Sequence, residues 1–252
     1  MGYGESPPSF DGHKRSPVPR FTVLSDQDLS RLDAFFSRWA NAVYPVLVPG
    51  ANVLVASNPL VSYRVAAAVT QAGFERRGEI IRRVMTMRGG DRPKNAHEEF
   101  QGVSIMPRSM WEPWLIFRKP LEGRVQDNLR KWKTGGFRRI SDDRPFGDVI
   151  DSHPTRPAEK ALGQHPSLKL QAFLRQIVRS VLPLGEGIVL DPFAGSGSTL
   201  AAAEAVGYAS VGVELDPWFI GVAQTAIPRL ATLNCSNGRK PRQDLVSRAL
   251  FD

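Results

Sequence analysis

The sequence predicts an α/β fold with a mostly parallel sheet and helices on both faces. Three observations lead there. Residues 51–56, 114–117 and 188–190 are short, almost wholly apolar runs, as strands covered on both faces require. Segments with a helical apolar period stand between such runs. A glycine-marked turn then joins one buried strand directly to an Ala-rich helix, the local signature of a strand–helix–strand unit.

The elements follow in order. Residues 1–24 are rich in Pro, Gly and Ser and read as a loop-rich N-terminal segment. Ser25 ahead of Asp26, Gln27 and Asp28 predicts an N-cap with an acidic first turn. Leu29, Leu32, Phe35, Phe36 and Trp39 recur at helical spacing, so a helix is expected over 26–43. Pro49-Gly50 marks a turn, residues 51–56 a strand and residues 60–72 a helix that stops at Gly73. Residues 74–87 read as extended, 88–108 as a polar loop and 114–117 as another strand. The charged stretch 119–160 has no clean period and is too long for a bare connection, so it is read as a functional insertion. A helix is expected over 167–182, a strand over 188–190, a helix over 199–206 closed by Gly207, and a strand over 210–213. Asp216-Pro217 opens a last helix running towards Leu230. A polar tail covers 234–252, leaving 25–233 as the folded domain. No internal repeat is present.

Composition narrows the classes. The 252 residues are 42% hydrophobic and 23% charged, which excludes a wholly disordered or collagen-like chain. Nothing approaches the length of a transmembrane run, and the N-terminus lacks an apolar signal core, so no membrane association is expected. A single cysteine, Cys235, excludes an intrachain disulfide framework and a Cys-rich zinc site. The expectations are a reducing, cytoplasmic setting and no metal. The net charge of +8 permits a polyanionic partner.

The most informative segment is GIVLDPFAGSGSTLAAAEAVGYASVGVELD, residues 187–216. A strand ends at Asp191, a turn holds Gly195 and Gly197, and a helix begins. Glycines there let a ligand lie on bare backbone next to free helix N–H groups. The following strand ends at Glu214, placed to accept from ribose hydroxyls. A phosphate-binding loop would need Lys where Ser198 stands, and a dinucleotide fingerprint would need a third glycine where Leu200 stands. An adenosine carrying a sulfonium amino acid, with no phosphate to hold, is the third ligand such a turn could take.

DPFAGSGST resembles the cofactor motif of the DNA amino-methyltransferases, which methylate adenine N6 or cytosine N4 with S-adenosylmethionine. GVELDPWF resembles the motif after it, and HPSLK at 165–169 resembles their His-Pro-Thr-Gln-Lys-Pro motif, with Leu170 where that pattern has proline. The resemblance implies a Rossmann-like methyltransferase fold, circularly permuted because the catalytic motif precedes the cofactor motif. It further implies that Asp191, Pro192, Phe193, Gly195 and Gly197 line the methionine end of the cofactor. Glu214 would hold the ribose, Leu215 would lie beside the adenine, and His165 and Lys169 would approach from the other side.

Methylating an exocyclic amine requires its lone pair to be freed from the ring. Two acceptors on its N–H groups pull the nitrogen towards sp³, and in-line transfer follows. The family draws these acceptors from a (Asp/Asn/Ser)-Pro-Pro-aromatic motif acting on a flipped base. The best match is Ser6-Pro7-Pro8-Ser9 followed by Phe10. Ser9 cannot stack; Phe10 can if the loop shifts by one. Ser57-Asn58-Pro59-Leu60 is a weaker rival.

Residues 118–139 carry eight basic side chains against Glu122 and Asp127, with Trp132 and Phe137 among them. Within an insertion 119–160 read as target-recognising, Arg124, Arg130, Lys131, Lys133, Arg138 and Arg139 are the expected contacts to double-stranded DNA. A smaller basic loop, 88–94, could serve the same surface. The alternative to an active enzyme, in a restriction–modification setting or elsewhere, is a catalytically impaired or truncated methyltransferase-fold protein that binds nucleic acid.

Overall fold

The structure, a computed structural model, describes residues 25–85, 89–163, 165 and 167–235. Helix α1 (Asp26–Val43) opens with the expected cap, since Ser25 Oγ accepts from Asp28 N and the Asp28 carboxylate accepts from Ser25 N. Strand β1 (Asn52–Ala56), helix α2 (Ser62–Gln71), strand β2 (Glu75–Arg83) and strand β3 (Trp111–Arg118) follow. Next come α3 (Val125–Trp132), β4 (Val149–Asp151), α4 (Pro157–Gly163) and α5 (Gln171–Val181). The chain continues with β5 (Ile188–Asp191), α6 (Ser198–Ala205), β6 (Ala209–Gly212) and α7 (Pro217–Ala231).

Among the described residues the strands form two sheets, β1-β3-β2-β4 and the parallel pair β5-β6. The larger sheet is mixed, which corrects the mostly parallel expectation. β3 runs antiparallel to both β1 and β2, while β4 is parallel to β2. Among the described residues between β2 and β3 there is no crossover helix, and the antiparallel pairing returns the chain alongside itself.

Two apolar layers cover the larger sheet. Phe117 and Leu115 of β3 join Val53, Val65, Val69 and Phe74 under α1 and α2. Trp114 and Ile116, the alternate residues of the same strand, join Ile80 and Ile150 under Phe173, Leu174 and Ile177 of α5. This alternation explains why β3 reads as one unbroken apolar run. The α5 layer continues to Val189 of β5 and Ala202 and Ala203 of α6, so α5 ties the two sheets together.

Three boundaries differ from expectation. β3 is eight residues long rather than four, because Trp111, Glu112, Pro113 and Arg118 also pair with β2. The helix expected over 167–182 starts only at Gln171, whose N–H donates to the buried Glu159 carboxylate. The stretch 119–160 contains α3, β4 and the start of α4. α3 ends where Lys133 takes a left-handed φ of 62°.

Candidate active site

β5 ends at Asp191, whose Oδ1 accepts from Phe193 N at 3.0 Å and starts the turn. Ala194 N then donates to Val213 O, and Val213 N to Asp191 O, both at 2.9 Å, fastening the turn to the end of β6. Gly195 (φ +52°) and Gly197 (φ +79°) adopt left-handed backbone conformations. A Cβ on Gly197 would fall 2.5 Å from Ile227 Cγ1, so α7 packs directly on this backbone. Gly212 makes the same close approach to Leu200 of α6, at 2.8 Å.

Glu214 organises the far wall. Its Oε2 accepts from Gly195 N at 2.7 Å, and its Oε1 accepts from Leu215 N and Asp216 N, both at 2.9 Å. A carboxylate has about four acceptor positions. Three are used here, and Oε2 keeps one for a hydroxyl donor. Asp216 caps α7 through Trp218 N. Leu215 is 95% exposed, an apolar surface with nothing packed on it.

The structure brings His165 to this turn. Its Nε2 lies 3.0 Å from where a Cβ on Gly195 would stand, and its ring meets Phe219 edge-on at 4.5 Å. Nδ1 accepts from Ser167 N, which places the proton of a neutral ring on Nε2. Lys169 goes elsewhere. Its Nζ donates to Glu112 Oε1 at 2.5 Å on β3, and Arg82 of β2 donates to Glu112 Oε2 at 3.0 Å. Lys169 therefore braces the segment that carries His165. Burial alone would push the Glu112 carboxyl up; the Lys169 and Arg82 cations outweigh it and hold the carboxyl below the usual glutamate range.

Sequence reasoning missed three neighbours. Ser196 is 2% exposed, and its Oγ has no hydrogen-bond partner among the described residues. Phe35 and Trp39 of α1 lie 6.0 and 6.1 Å from the Phe193 ring, which puts α1 against the turn. The aromatic stripe of α1 carries no sign in the sequence that it leaves the core, and a single Ser inside a glycine turn has no periodic signal either. Glu112, between two tryptophans in a buried strand, was legible: the stretch 111–114 resembles the family's acid-bearing strand, and such a charge needs partners.

The catalytic expectation on Ser6, Pro7, Pro8, Ser9 and Phe10 lies outside the described residues. The segment that carries the expected DNA contacts sits at the opposite end of the sheets from the turn. Asn52, the first residue of β1, donates to Gly136 O and Val181 O, and Arg138 N donates to Ser180 O. Arg138 also donates to Tyr208 Oη, just ahead of β6. These contacts fix 118–139 where β1, β5 and β6 begin, whereas the glycine turn and Glu214 lie where β5 and β6 end. Arg124 and Arg130 pair with Asp127, and Lys131 with Glu122. Arg139 donates to Ser141 O and Asp142 O. Lys133 is the αL cap of α3.

The turn fits a nucleoside with a charged amino-acid end. Bare glycine backbone, an orphaned buried hydroxyl and an acceptor at the second strand's end are the pieces needed, with no lysine for a phosphate. This fold and site define the class of Rossmann-like, S-adenosylmethionine-dependent methyltransferases. A family model described as DNA methylase matches residues 5–225, so the chain belongs to that family, the adenine-N6 and cytosine-N4 methyltransferases of DNA. Its cofactor is S-adenosylmethionine, and its chemistry is methylation of an exocyclic amine.

Among curated relatives, the type II methyltransferase M.HindIII of Haemophilus influenzae is 27% identical over 76% of this chain and 67% of its own length. M2.DpnII of Streptococcus pneumoniae is 22% identical over 75% of this chain and 65% of its own. The chain thus spans about two thirds of the length of these relatives. The DNA adenine methyltransferase YhdJ of Escherichia coli is 33% identical over 44% of this chain and 42% of its own. Two solved structures share the fold. M1.HpyAVI in complex with S-adenosylmethionine has a TM-score of 0.53 and 17% identity, covering 77% of this chain and 83% of its own. The cytosine-N4-specific PvuII DNA methyltransferase has a TM-score of 0.56 and 13% identity, covering 86% and 78%.

Proposed function

We propose that this chain methylates adenine N6 or cytosine N4 of a base turned out of double-stranded DNA, in a cytoplasmic setting. The observation that carries the reading is Glu214, whose carboxylate shapes the glycine turn and keeps one acceptor position towards it. Bound S-adenosylmethionine supplies a methyl group on a sulfonium, which needs approach in line and no further activation. Glu214 accepts from the ribose, Leu215 and Phe193 give apolar contact, and Gly195, Ser196 and Gly197 receive the amino-acid end. Ser6 and a carbonyl of Pro7 or Pro8 accept the two amine protons, and Phe10 stacks on the base. The methylated nitrogen then sheds one proton. We read the order of motifs, catalytic before cofactor, as a circular permutation.

Tritiated methyl donor tests this directly. Label should pass to duplex DNA, and Ser6→Ala should stop transfer while cofactor binding survives. Unchanged turnover would remove Ser6 from the mechanism. Ser9, standing where the family has an aromatic, favours one other reading: a fold that binds cofactor and nucleic acid without transfer. Cofactor heat with no label in DNA is the outcome that reading predicts.

A further inference from the structure

β2 is parallel to β1 and antiparallel to β3, so the connection from β2 to β3 leaves the sheet at the end where Ala56, Arg83 and Trp111 lie. Glu112 beside Trp111 holds Lys169, and the same segment holds His165 against Gly195. This is the cofactor end. Residues 89–110 form an exposed, internally braced arm there. Val84 N donates to Met110 O at 3.0 Å, and Gly90 N to Met106 O and Ile105 N to Asp91 O, both at 2.9 Å. Gly89 (φ +77°) packs so tightly that a Cβ would fall 2.1 Å from Pro107 O. Phe100 N to Ala96 O at 3.0 Å and Val103 N to Phe100 O at 3.1 Å then order the tip.

A polar loop would leave polar side chains outside. This arm instead exposes Phe100 (44%), Val103 (48%) and Ile105 (59%), with exposed Arg92, Lys94 and Arg108 on its two legs and the exposed acids Glu98 and Glu99 at its tip. Cations spaced around an apolar knuckle suit phosphate contacts flanking a base step that is being opened. The basic segment 118–139 lies at the far end of β3, roughly 23 Å away over its eight residues at about 3.3 Å per residue, with most of its charges already paired.

We infer that the arm 89–110, rather than the basic segment 118–139, is the element that grips duplex DNA beside the target base. The inference rests on DNA as substrate. Arg92, Lys94 and Arg108 touch phosphates, and Phe100 and Ile105 press on the bases next to the displaced one.

Anisotropy of a labelled duplex, measured with the full chain across a salt series, tests it. R92A/K94A/R108A should weaken binding at least about tenfold and flatten the salt slope by about one per contact removed. Phe100→Ala should weaken binding without changing the slope. R130A/K131A should stay within about twofold of wild type, and cofactor heats should be unchanged in all three. If wild type binds duplex and the arm variants bind equally well, the arm is overturned alone. Loss confined to R130A/K131A overturns it too, as does sedimentation showing a dimer that Phe100→Ala splits. A wild-type chain that binds no duplex overturns the substrate reading itself.

Discussion

Lys169 and Glu112 stand 57 residues apart in sequence and meet at 2.5 Å. Arg82 completes the node from β2, and Trp114 Nε1 donates to the same carboxylate at 3.3 Å. One half-buried acid thus joins two strands of the larger sheet to the segment that sets His165 on the glycine turn. The His165 segment is held over the glycine turn from the sheet below it.

Glu112→Gln tests the node. It leaves Lys169 and Arg82 without a counter-charge, and should cost about 2–4 kcal/mol at neutral pH. Because the folded carboxyl lies below its ordinary value, its stabilisation is present above pH of about 4.3 and is lost as pH falls through the folded value. Urea unfolding at pH 7 and at pH 3.5 should show the variant's deficit shrinking in acid. An equal deficit at both would remove the ion pairs from the account.

Glu159 carries the opposite sign. Burial pushes its carboxyl up, more than Gln171 N and the nearby Arg156 and Arg175 pull it down. The cost of ionising it therefore sets in as pH rises through the ordinary glutamate range. Glu159→Gln keeps an acceptor for Gln171 N and should raise stability at pH 7 by about 1 kcal/mol, with no gain at pH 4. A lower melting temperature at pH 7 would contradict this.

The two turn glycines should separate stability from binding. Gly197→Ala drives a methyl into Ile227 at a left-handed φ and should cost about 2–4 kcal/mol. Gly195→Ala meets only the edge of His165, at 3.0–3.2 Å. It should cost about 1–2 kcal/mol while weakening cofactor binding at least about tenfold. Circular dichroism melts and calorimetry read the two effects, and a Gly195→Ala protein with full cofactor affinity would go against the account.

The strand–turn–helix around Gly195 and Gly197 was legible because its backbone demands glycine, and Glu214 because it closes the next apolar run. The Ser25 cap and the α7 cap at Asp216 were legible from local chemistry alone. Sheet direction was not. Nothing within residues 111–118 tells whether that apolar run pairs parallel or antiparallel, since both faces are buried either way. The destination of Lys169 and the placement of 118–139 were hidden for a related reason. Charge counts record how many cations a segment carries, whereas partners such as Glu112, Asp127 and Tyr208 are set by the fold. Likewise the arm 89–110 has balanced charge, three cations against three acids, and only the polarity of β2 and β3 reveals at which end of the sheet it lies.

Titration calorimetry with S-adenosylmethionine, on the wild-type chain and on Glu214→Ala, reads whether the glycine turn holds the methyl donor. Saturable heat in the wild type that disappears in a variant still folded by its melting curve is the expected result. No heat in the wild type, or equal heat in both, would mean that the turn closed by Glu214 is not where the methyl donor sits.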